Sequence, residues 1–159
     1  MKYAGIIYND FSAAPGVSLS FFTQGCPHRC IGCHNPETWN FDEGKEVPKN
    51  ILEIVLNGLT ANNITRNFCL MGGEPLCKEN LELSLQLVSA VRQKFPNIKI
   101  YIWSGYTIEQ LEEKNDLIIN KILSLSDVLI DGLFIESKKD LTLPLRGSSN
   151  QRIIDLTKR

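Results

Sequence analysis

The sequence predicts an α/β protein whose mostly parallel strands and crossover helices form an open, partial (β/α) barrel. Segments with the character of strands and of helices alternate at least three times along the chain, which is the pattern of a parallel sheet with crossover helices. The chain has 159 residues, whereas a complete eight-unit barrel typically needs roughly 250 residues. We therefore expect a single domain over residues 1–159 whose sheet does not close.

Five segments have the composition of strands. The first two are rich in aromatic and β-branched residues, and the third is a short apolar run that stops at Gly72-Gly73. A loop over Asn9–Gly16 separates the first two strands, and a longer loop over Gly25–Asp42 follows the second. The five predicted strands are Tyr3–Tyr8, Val17–Thr23, Asn67–Met71, Ile98–Trp103 and Val128–Ile130.

Apolar residues at helical spacing indicate the crossover helices. Pro48 suits a first helical position, and Pro96 ends a later helix. Thr107, with a glutamine three residues later, is a capping-box signal for another helix start. The tail from Leu143 onward is polar and irregular until Ile153. The apolar positions that define the helices are Ile51, Ile54, Val55 and Leu59, then Leu81, Leu85, Val88, Val91 and Phe95, and then Ile118, Ile119, Ile122 and Leu123.

The composition argues against several classes of function. Lys and Arg total 17 and Asp and Glu total 18, so no strong basic field exists to hold nucleic acid or an anionic membrane. No apolar run has the length of a transmembrane helix, and the stretch over Tyr3–Tyr8 is too short for a signal-peptide core. We expect a cytoplasmic protein that binds neither nucleic acid nor a membrane. The five cysteines are an odd number, which argues against a disulfide framework.

Four loops follow predicted strands and are the expected place for a site. They begin after Thr23, Met71, Trp103 and Ile130. In sheets of parallel strands the functional loops lie at the carboxyl ends of the strands. The four loops should therefore meet at one edge of the sheet.

The first of these loops carries three cysteines within a span of eight residues. Cys26, Cys30 and Cys33 lie at positions i, i+4 and i+7, but the glycines and prolines around them disfavour a helix. A loop that carries three thiols is suited to wrap a metal centre. Their spacing fits a Cys₃His zinc site with His28 or His34 as the fourth ligand. A four-cysteine cluster would need Cys69 or Cys77 as its fourth ligand, and neither belongs to a compact run of ligands. The third option is a cubane that three thiolates hold and that keeps one iron open.

Two motifs, in this order along the chain, resemble those of the radical S-adenosylmethionine superfamily. The segment Cys26–Cys33 has the C-x3-C-x2-C spacing of that superfamily, and Gly72-Gly73-Glu74-Pro75 is similar to its second motif. His34-Asn35 with Thr38-Trp39 resembles the glycyl-radical activases in particular. More narrowly, three further segments resemble the anaerobic ribonucleotide reductase activating proteins, and these are Trp103–Tyr106, Leu129–Gly132 and Arg146–Gln151.

The resemblance implies a radical S-adenosylmethionine oxidoreductase of the glycyl-radical-generating activase type. Cys26, Cys30 and Cys33 would hold a [4Fe–4S] cluster, and S-adenosylmethionine would chelate the open iron through its amino and carboxylate groups. One electron would cleave S-adenosylmethionine to methionine and a 5′-deoxyadenosyl radical. The radical would take a hydrogen from a glycine Cα of its protein substrate, the anaerobic (class III) ribonucleoside-triphosphate reductase. A flavodoxin-like protein would donate the electron.

The resemblance also implies that the first two motifs contact S-adenosylmethionine. Many members of the superfamily carry an aromatic residue just before the third cysteine, whereas this chain has Gly32. The backbone from Gly32 through Cys33 to His34, or the His34 ring, would have to contact adenine instead. Gly72 and Gly73 would let the backbone approach the ligand without a clash from Cβ.

Further contacts follow from the later motifs. Glu74 would offset the positive charge of the bound methionine moiety, and Pro75 would fix the turn. Ser104 would donate a hydrogen bond to the ligand, and Asp131 would accept one from a ribose hydroxyl. Each polar position also has a purely structural interpretation, as a turn residue or as part of a solvated loop. A face toward the protein substrate would be formed by Arg146, Ser148, Asn150 and Gln151.

Two other functions stay open at this point. One is activation of a different glycyl-radical enzyme, or radical chemistry on a small molecule. The other is a zinc-stabilised binding module whose cysteines are structural. Cys69 lies in a predicted buried strand, where a core cysteine is expected, and Cys77 has no predicted role.

Overall fold

A computed structural model describes residues 1–158, which contain one open, mixed sheet of seven strands. The strands are β1 Lys2–Asp10, β2 Ser18–Thr23, β3 Lys45–Glu46, β4 Asn67–Gly72, β5 Ile100–Trp103, β6 Val128–Asp131 and β7 Arg152–Asp155. Their order in the sheet is β3-β1-β2-β4-β5-β6-β7. The four adjacent strands β2, β4, β5 and β6 are parallel, and β1, β3 and β7 join the sheet by antiparallel pairing.

Four α-helices belong to the connections between the strands. They are α1 Ile51–Leu59, α2 Leu81–Lys94, α3 Ile108–Glu113 and α4 Leu117–Leu125. The chain reaches β4 through α1, β5 through α2, and β6 through α3 and α4, as crossovers between parallel strands require. Within residues 1–158 there is no helix whose length and hydropathy would let it cross a membrane.

The two faces of the central strands pack against different partners. Side chains alternate between the faces of a strand, so Phe68 and Leu70 of β4 join the main core, which includes residues of all four helices. Cys69 lies on the opposite face, in a smaller cluster with Tyr101 and Ile130. No α-helix contributes to this second cluster within the part of the chain that the structure describes; its other members come from strands and loops. One face of the sheet is therefore left for loops and a site.

The carboxyl ends of the four parallel strands lie side by side, as predicted. Thr23 at the end of β2 pairs with Gly72 at the end of β4. Trp103 at the end of β5 pairs with Ile130 of β6. The sheet runs from β3 at one edge to β7 at the other and does not close. The prediction of an open sheet with mostly parallel strands is thus confirmed.

All five predicted strands are present, and the predicted capping box is confirmed. The Thr107 hydroxyl accepts from the Gln110 backbone N–H at 3.2 Å, and the Gln110 side chain accepts from the Thr107 N–H at 2.9 Å. The helix expected from Pro48 begins instead at Ile51, because residues 48–51 form a turn in which the Ile51 N–H donates to the Pro48 carbonyl at 3.1 Å.

Two strands lie outside the predicted set. β3 has two exposed residues, and β7 has four residues of which three are exposed, so neither shows an apolar period. Both lie at the sheet edges, where pairing with a neighbouring strand decides the conformation. β1 also extends to Asp10, into the predicted loop, because Asp10 pairs with Ser18 of β2.

A pair of leucine substitutions tests the position of the core. Leu87 of α2 is fully buried, whereas Leu117 of α4 is 83% exposed. Leu87→Ala should lower the free energy of unfolding by about 2–5 kcal/mol, because the substitution leaves a cavity in the core. Leu117→Ala should change it by no more than about 0.5 kcal/mol. Urea denaturation followed by circular dichroism measures both values, and equal losses in the two variants would contradict the described packing.

Candidate metal centre

A cavity of about 190 Å³ lies at the carboxyl ends of the parallel strands. Its lining brings together Cys26, Cys30 and Cys33, the turn over residues 72–74, and the segment over residues 103–105. Trp39, Phe134 and Gln151 complete much of the remaining wall. Three of the four strand-end loops that the sequence singles out therefore supply predicted site residues to one cavity, and the fourth, after β6, supplies Gly132.

Backbone hydrogen bonds close the cysteine loop at its base. The Gly25 N–H donates to the Thr38 carbonyl at 2.6 Å, and the Cys26 N–H donates to the Trp39 carbonyl at 3.1 Å. Between these ends the chain turns tightly, and the Cys33 N–H donates to the Cys30 carbonyl at 3.1 Å. The loop thus forms a closed unit that carries all three thiols.

The three loop cysteines are free and partly buried. Burial raises the pKa of the Cys26 thiol to about 11 and also raises the pKa of the Cys30 thiol. The Cys33 sulfur accepts a hydrogen bond from the Asn35 N–H at 3.4 Å. A coordinated cysteine binds metal as the thiolate, so metal binding here must displace protons. Three thiolates are the donor set that iron–sulfur clusters and zinc prefer.

The three loop thiols border one cavity. Within residues 1–158, no three side chains of His, Cys, Asp or Glu are grouped closely enough to hold a single metal ion. A cubane binds each cysteine at a different iron, so its ligands need not converge on one point. Cys26, Cys30 and Cys33 are therefore the residues here that could hold a cluster.

The other two cysteines lie away from this cavity lining. Cys69 is fully buried in the second cluster, and Cys77 is 2% exposed with its sulfur 3.5 Å from the Asn80 side-chain nitrogen. Burial raises the pKa of both thiols to about 12. These properties are those of core cysteines.

Gly72 and Gly73 line the cavity; Gly72 lies against the end of β2 and Gly73 against the base of the cysteine loop. Gly72 has φ +111°, a conformation that L side chains rarely adopt. A Cβ at Gly73 would collide with the Gly25 carbonyl oxygen and would lie 3.0 Å from the Thr38 carbonyl oxygen. The close approach that these glycines allow is therefore, at least in part, an approach to the base of the cysteine loop.

The carboxylate of Glu74 is fully buried and accepts four hydrogen bonds. Oε1 lies 2.7 Å from His28 Nε2 and 2.7 Å from the Gly105 nitrogen. Oε2 lies 2.8 Å from the Ser104 hydroxyl and 3.0 Å from the Leu76 nitrogen. A carboxylate has about four acceptor positions, and here the chain itself fills them.

Ser104 is bound to this carboxylate as well as lining the cavity. Its hydroxyl donates to Glu74 and accepts from the Tyr106 N–H at 3.1 Å. Two predicted contacts of S-adenosylmethionine, Pro75 and Gly32, are not in the cavity lining. The Pro75 carbonyl accepts from the Ser84 hydroxyl at 2.8 Å, and Gly32 packs beside Glu136.

Asp131 lies outside the cavity lining, and its buried carboxylate pairs with Arg152, whose side chain is 48% exposed. Its oxygens accept from Arg152 Nη2 at 2.6 Å and Nε at 3.1 Å, and from the Ile108 N–H at 2.8 Å. Arg152 also pairs with Glu109 of α3. The observed role of this aspartate is to tie β6 to β7 and to the start of α3.

Of the four residues predicted to face the substrate, Gln151 alone lines this cavity. Gln151 lines the cavity, donates to the Gly132 carbonyl at 3.0 Å, and accepts from the Gly147 and Ser148 N–H groups. Ser148 is buried and accepts from the Ile135 N–H, and Asn150 donates to the Leu133 carbonyl at 2.7 Å.

Arg146 lines a second cavity, whose lining includes neither Ser148 nor Asn150. This neighbouring cavity shares His34, Met71 and Trp103 with the first. His34 is exposed, and its ring lies edge-on to Phe134 with 5.2 Å between the ring centroids. Arg146 nevertheless donates to the Gln151 carbonyl at 3.3 Å, so the two cavities meet at this pair as well.

Several cavity residues are absent from the predicted site. Phe134 and Met71 carry no local signal, because only the tertiary fold brings them to the cavity. The sequence predicts His28 only as a possible zinc ligand. Its position between Cys26 and Cys30 is the signal that places it in the site, and the structure shows its ring nitrogen hydrogen-bonded to Glu74.

Comparison with known protein families places the fold and cavity in one class. Residues 13–154 match the family model described as a 4Fe-4S single cluster domain. The matched region contains the three loop cysteines and the residues 72–75 motif. The class is therefore that of iron–sulfur proteins with one cluster.

Curated relatives narrow this class. Three of these relatives carry the name anaerobic ribonucleoside-triphosphate reductase-activating protein. The relative from Escherichia coli strain K12 is 35% identical to this chain, over 95% of this chain and 96% of its own length. The relative from Pasteurella multocida strain Pm70 is 35% identical over 99% of both chains. The relative from Enterobacteria phage T4 is 35% identical over 96% of this chain and 93% of its own. The chain belongs to the family of anaerobic ribonucleoside-triphosphate reductase-activating proteins.

Substitution of Arg152 tests the ion pair between this half-exposed arginine and the buried Asp131. Arg152→Met should lower the free energy of unfolding by about 1–3 kcal/mol, because the buried Asp131 carboxylate loses its charged donor. Lys158→Met is the matched control, since Lys158 is 82% exposed and lies 3.8 Å from Asp155. The control should leave the urea unfolding midpoint unchanged. An unchanged midpoint for Arg152→Met would show that the pair does not stabilise the fold.

Proposed function

We propose that this chain is a radical S-adenosylmethionine enzyme that generates the glycyl radical of anaerobic ribonucleoside-triphosphate reductase. The observation that carries this proposal is the meeting of two motifs in one cavity. The three cysteine thiols and the turn over residues 72–74 lie together at the carboxyl ends of parallel strands. The names of the relatives, all at about the length of this chain, support the reductase as the target.

In this proposal Cys26, Cys30 and Cys33 are the ligands of a [4Fe–4S] cluster and leave one iron open for S-adenosylmethionine. A bound cluster, once reduced by the electron donor, would supply the one electron needed to cleave S-adenosylmethionine to methionine and the 5′-deoxyadenosyl radical that would take the glycine hydrogen. The chain's own residues bind the cofactors, orient them and shield them from water.

The backbone around the cavity supplies that orientation. Gly72 places the end of β4 against the end of β2, and Gly73 places it against the base of the cysteine loop, so the two motifs lie close together. The buried negative charge of Glu74 lies at the cavity wall and favours a bound cation. Because its four acceptor positions are filled, we assign Glu74 to this electrostatic and structural role.

The open sheet agrees with a protein substrate. A partial barrel of the radical S-adenosylmethionine type leaves a side of the cavity free, and a reductase segment that carries glycine needs such an opening. A flavodoxin-like protein is our proposed electron donor. A zinc-stabilised module is less well supported, since His28, one candidate for a fourth ligand, is engaged with Glu74.

Cysteine substitutions test the ligand set. Cys26→Ala, Cys30→Ala and Cys33→Ala should each reduce S-adenosylmethionine cleavage to background while the circular dichroism spectrum stays that of a folded chain. The unsubstituted protein, purified without oxygen, should contain about four irons and four sulfides per chain. Cys69→Ala is the control and should keep both its iron and its activity, since Cys69 lies in the core. Full activity in any of the three loop variants would refute the assignment.

Radical transfer tests the partner. The reduced protein, S-adenosylmethionine and the anaerobic reductase should together give the electron paramagnetic resonance signal of a glycyl radical. The same mixture with a reductase in which the radical-bearing glycine is replaced by alanine should give none. A signal with a different glycyl-radical enzyme, and none with the reductase, would identify another target.

A further inference from the structure

The hydrogen bonds of Glu74 join three separate parts of the chain. Leu76 belongs to the turn that carries Glu74 itself. Ser104 and Gly105 follow β5. His28 comes from the cysteine loop, between Cys26 and Cys30. Among the four donors, His28 alone belongs to the loop that carries the three thiols.

The contact between His28 and Glu74 is short and shielded. Its two atoms lie 2.7 Å apart, and the side chains of His28 and Glu74 are 13% and 0% exposed. Because a carboxylate only accepts hydrogen bonds, Nε2 of His28 is the donor. Hydrogen bonds to charged groups are the stronger kind, and burial keeps water from replacing this one.

The ring of His28 is held in this orientation from two sides. Its centroid lies 4.6 Å from that of Tyr106, with the rings at 76°. On another side lies Gly105, where a Cβ would be 2.5 Å from His28 Cδ2 and 2.7 Å from Nε2. The glycine therefore leaves the space that the ring occupies.

We propose that His28 is a positioning residue that fixes the cysteine loop against Glu74. This inference rests on the proposed function, because its consequence is for the binding of S-adenosylmethionine. The cluster ligands come from the cysteine loop, whereas Gly72, Gly73 and Ser104 come from the ends of β4 and β5. At the base of the loop the two halves are already joined, because the Glu74 N–H donates to the Gly25 carbonyl at 2.9 Å. The hydrogen bond from Nε2 adds a side-chain link in the part of the loop between Cys26 and Cys30, and its loss frees that part of the loop even though all three cysteines remain.

Two variants of His28 separate the hydrogen bond from the shape of the ring. His28→Phe keeps a ring against Tyr106 but has no donor, and His28→Gln keeps a donor nitrogen. In the anaerobically prepared protein with its cluster, His28→Phe should raise the dissociation constant for S-adenosylmethionine about tenfold or more, which is what one hydrogen bond to a charged group is worth. The change that S-adenosylmethionine produces in the resonance spectrum of the reduced cluster measures this constant.

The other variants fix the interpretation. His28→Gln should bind within about threefold of the unsubstituted protein, because most of one hydrogen bond is kept. Ile31→Ala, at a residue of the same loop that is 79% exposed, is the matched control and should bind normally. His28→Phe with unchanged affinity, or His28→Gln with the same loss as His28→Phe, would overturn the proposal.

A measurement without cofactors separates this inference from the proposed function. In the full chain without cluster, His28→Phe should speed hydrogen–deuterium exchange in residues 25–39, and His28→Gln should not. Gly105→Ala should speed it too, because the new Cβ displaces the ring, whereas Gly5→Ala meets nothing within 4 Å and should have no effect. Failure of the unsubstituted protein to bind S-adenosylmethionine would refute the proposed function. Equal exchange in all four variants would refute the role of His28.

Discussion

The buried carboxylate of Glu74 is the interaction on which the geometry of the cavity depends. It accepts two hydrogen bonds from the segment after β5, one from its own turn after β4, and one from His28 of the cysteine loop. A buried charged group is costly unless its partners are kept, so these three segments cannot separate without a large loss of stability. Backbone hydrogen bonds hold the base of the cysteine loop, and the contact with Glu74 holds the part of the loop that contains His28. The rigid sheet thus fixes the loop, and through it the placement of the thiols.

The two faces of the sheet have different roles: one carries the main core, and the other is covered by loops. All four helices pack on one face and form the main core. The opposite face is covered by loop residues such as Ala14 and by Leu145, whose carbonyl accepts from the Trp103 indole N–H at 2.8 Å. Leu145 has φ +63°, an uncommon conformation for a side chain of this size, and that hydrogen bond and the packing hold it there. The loops that cover this face belong to the second cluster and, through Leu145, to the second cavity, and they add little to the main core.

Local signals in the sequence predict the strands, the capping box and the residues that meet in the cavity at the ends of β2, β4 and β5. Such signals work because an apolar period or a pair of glycines constrains its own segment of backbone. They do not predict that Asp131 bonds Arg152 instead of facing the cavity, or that His28 meets Glu74. The partners in these pairs lie 21 and 46 residues apart in the chain, and only the packed sheet brings them together. The role of a polar side chain at a strand end therefore needs the fold.

The position of β7 in the sequence has a consequence for biosynthesis. β7 is the last strand of the chain, and it supplies the outer edge of the sheet beside β6. Gln151 of the cavity wall precedes it directly, and its first residue, Arg152, neutralises Asp131. Chains emerge from the ribosome beginning with the N-terminus. The thiols of Cys26, Cys30 and Cys33 therefore leave the ribosome well before Gln151, and the cavity wall is completed only after Gln151 and β7 have emerged.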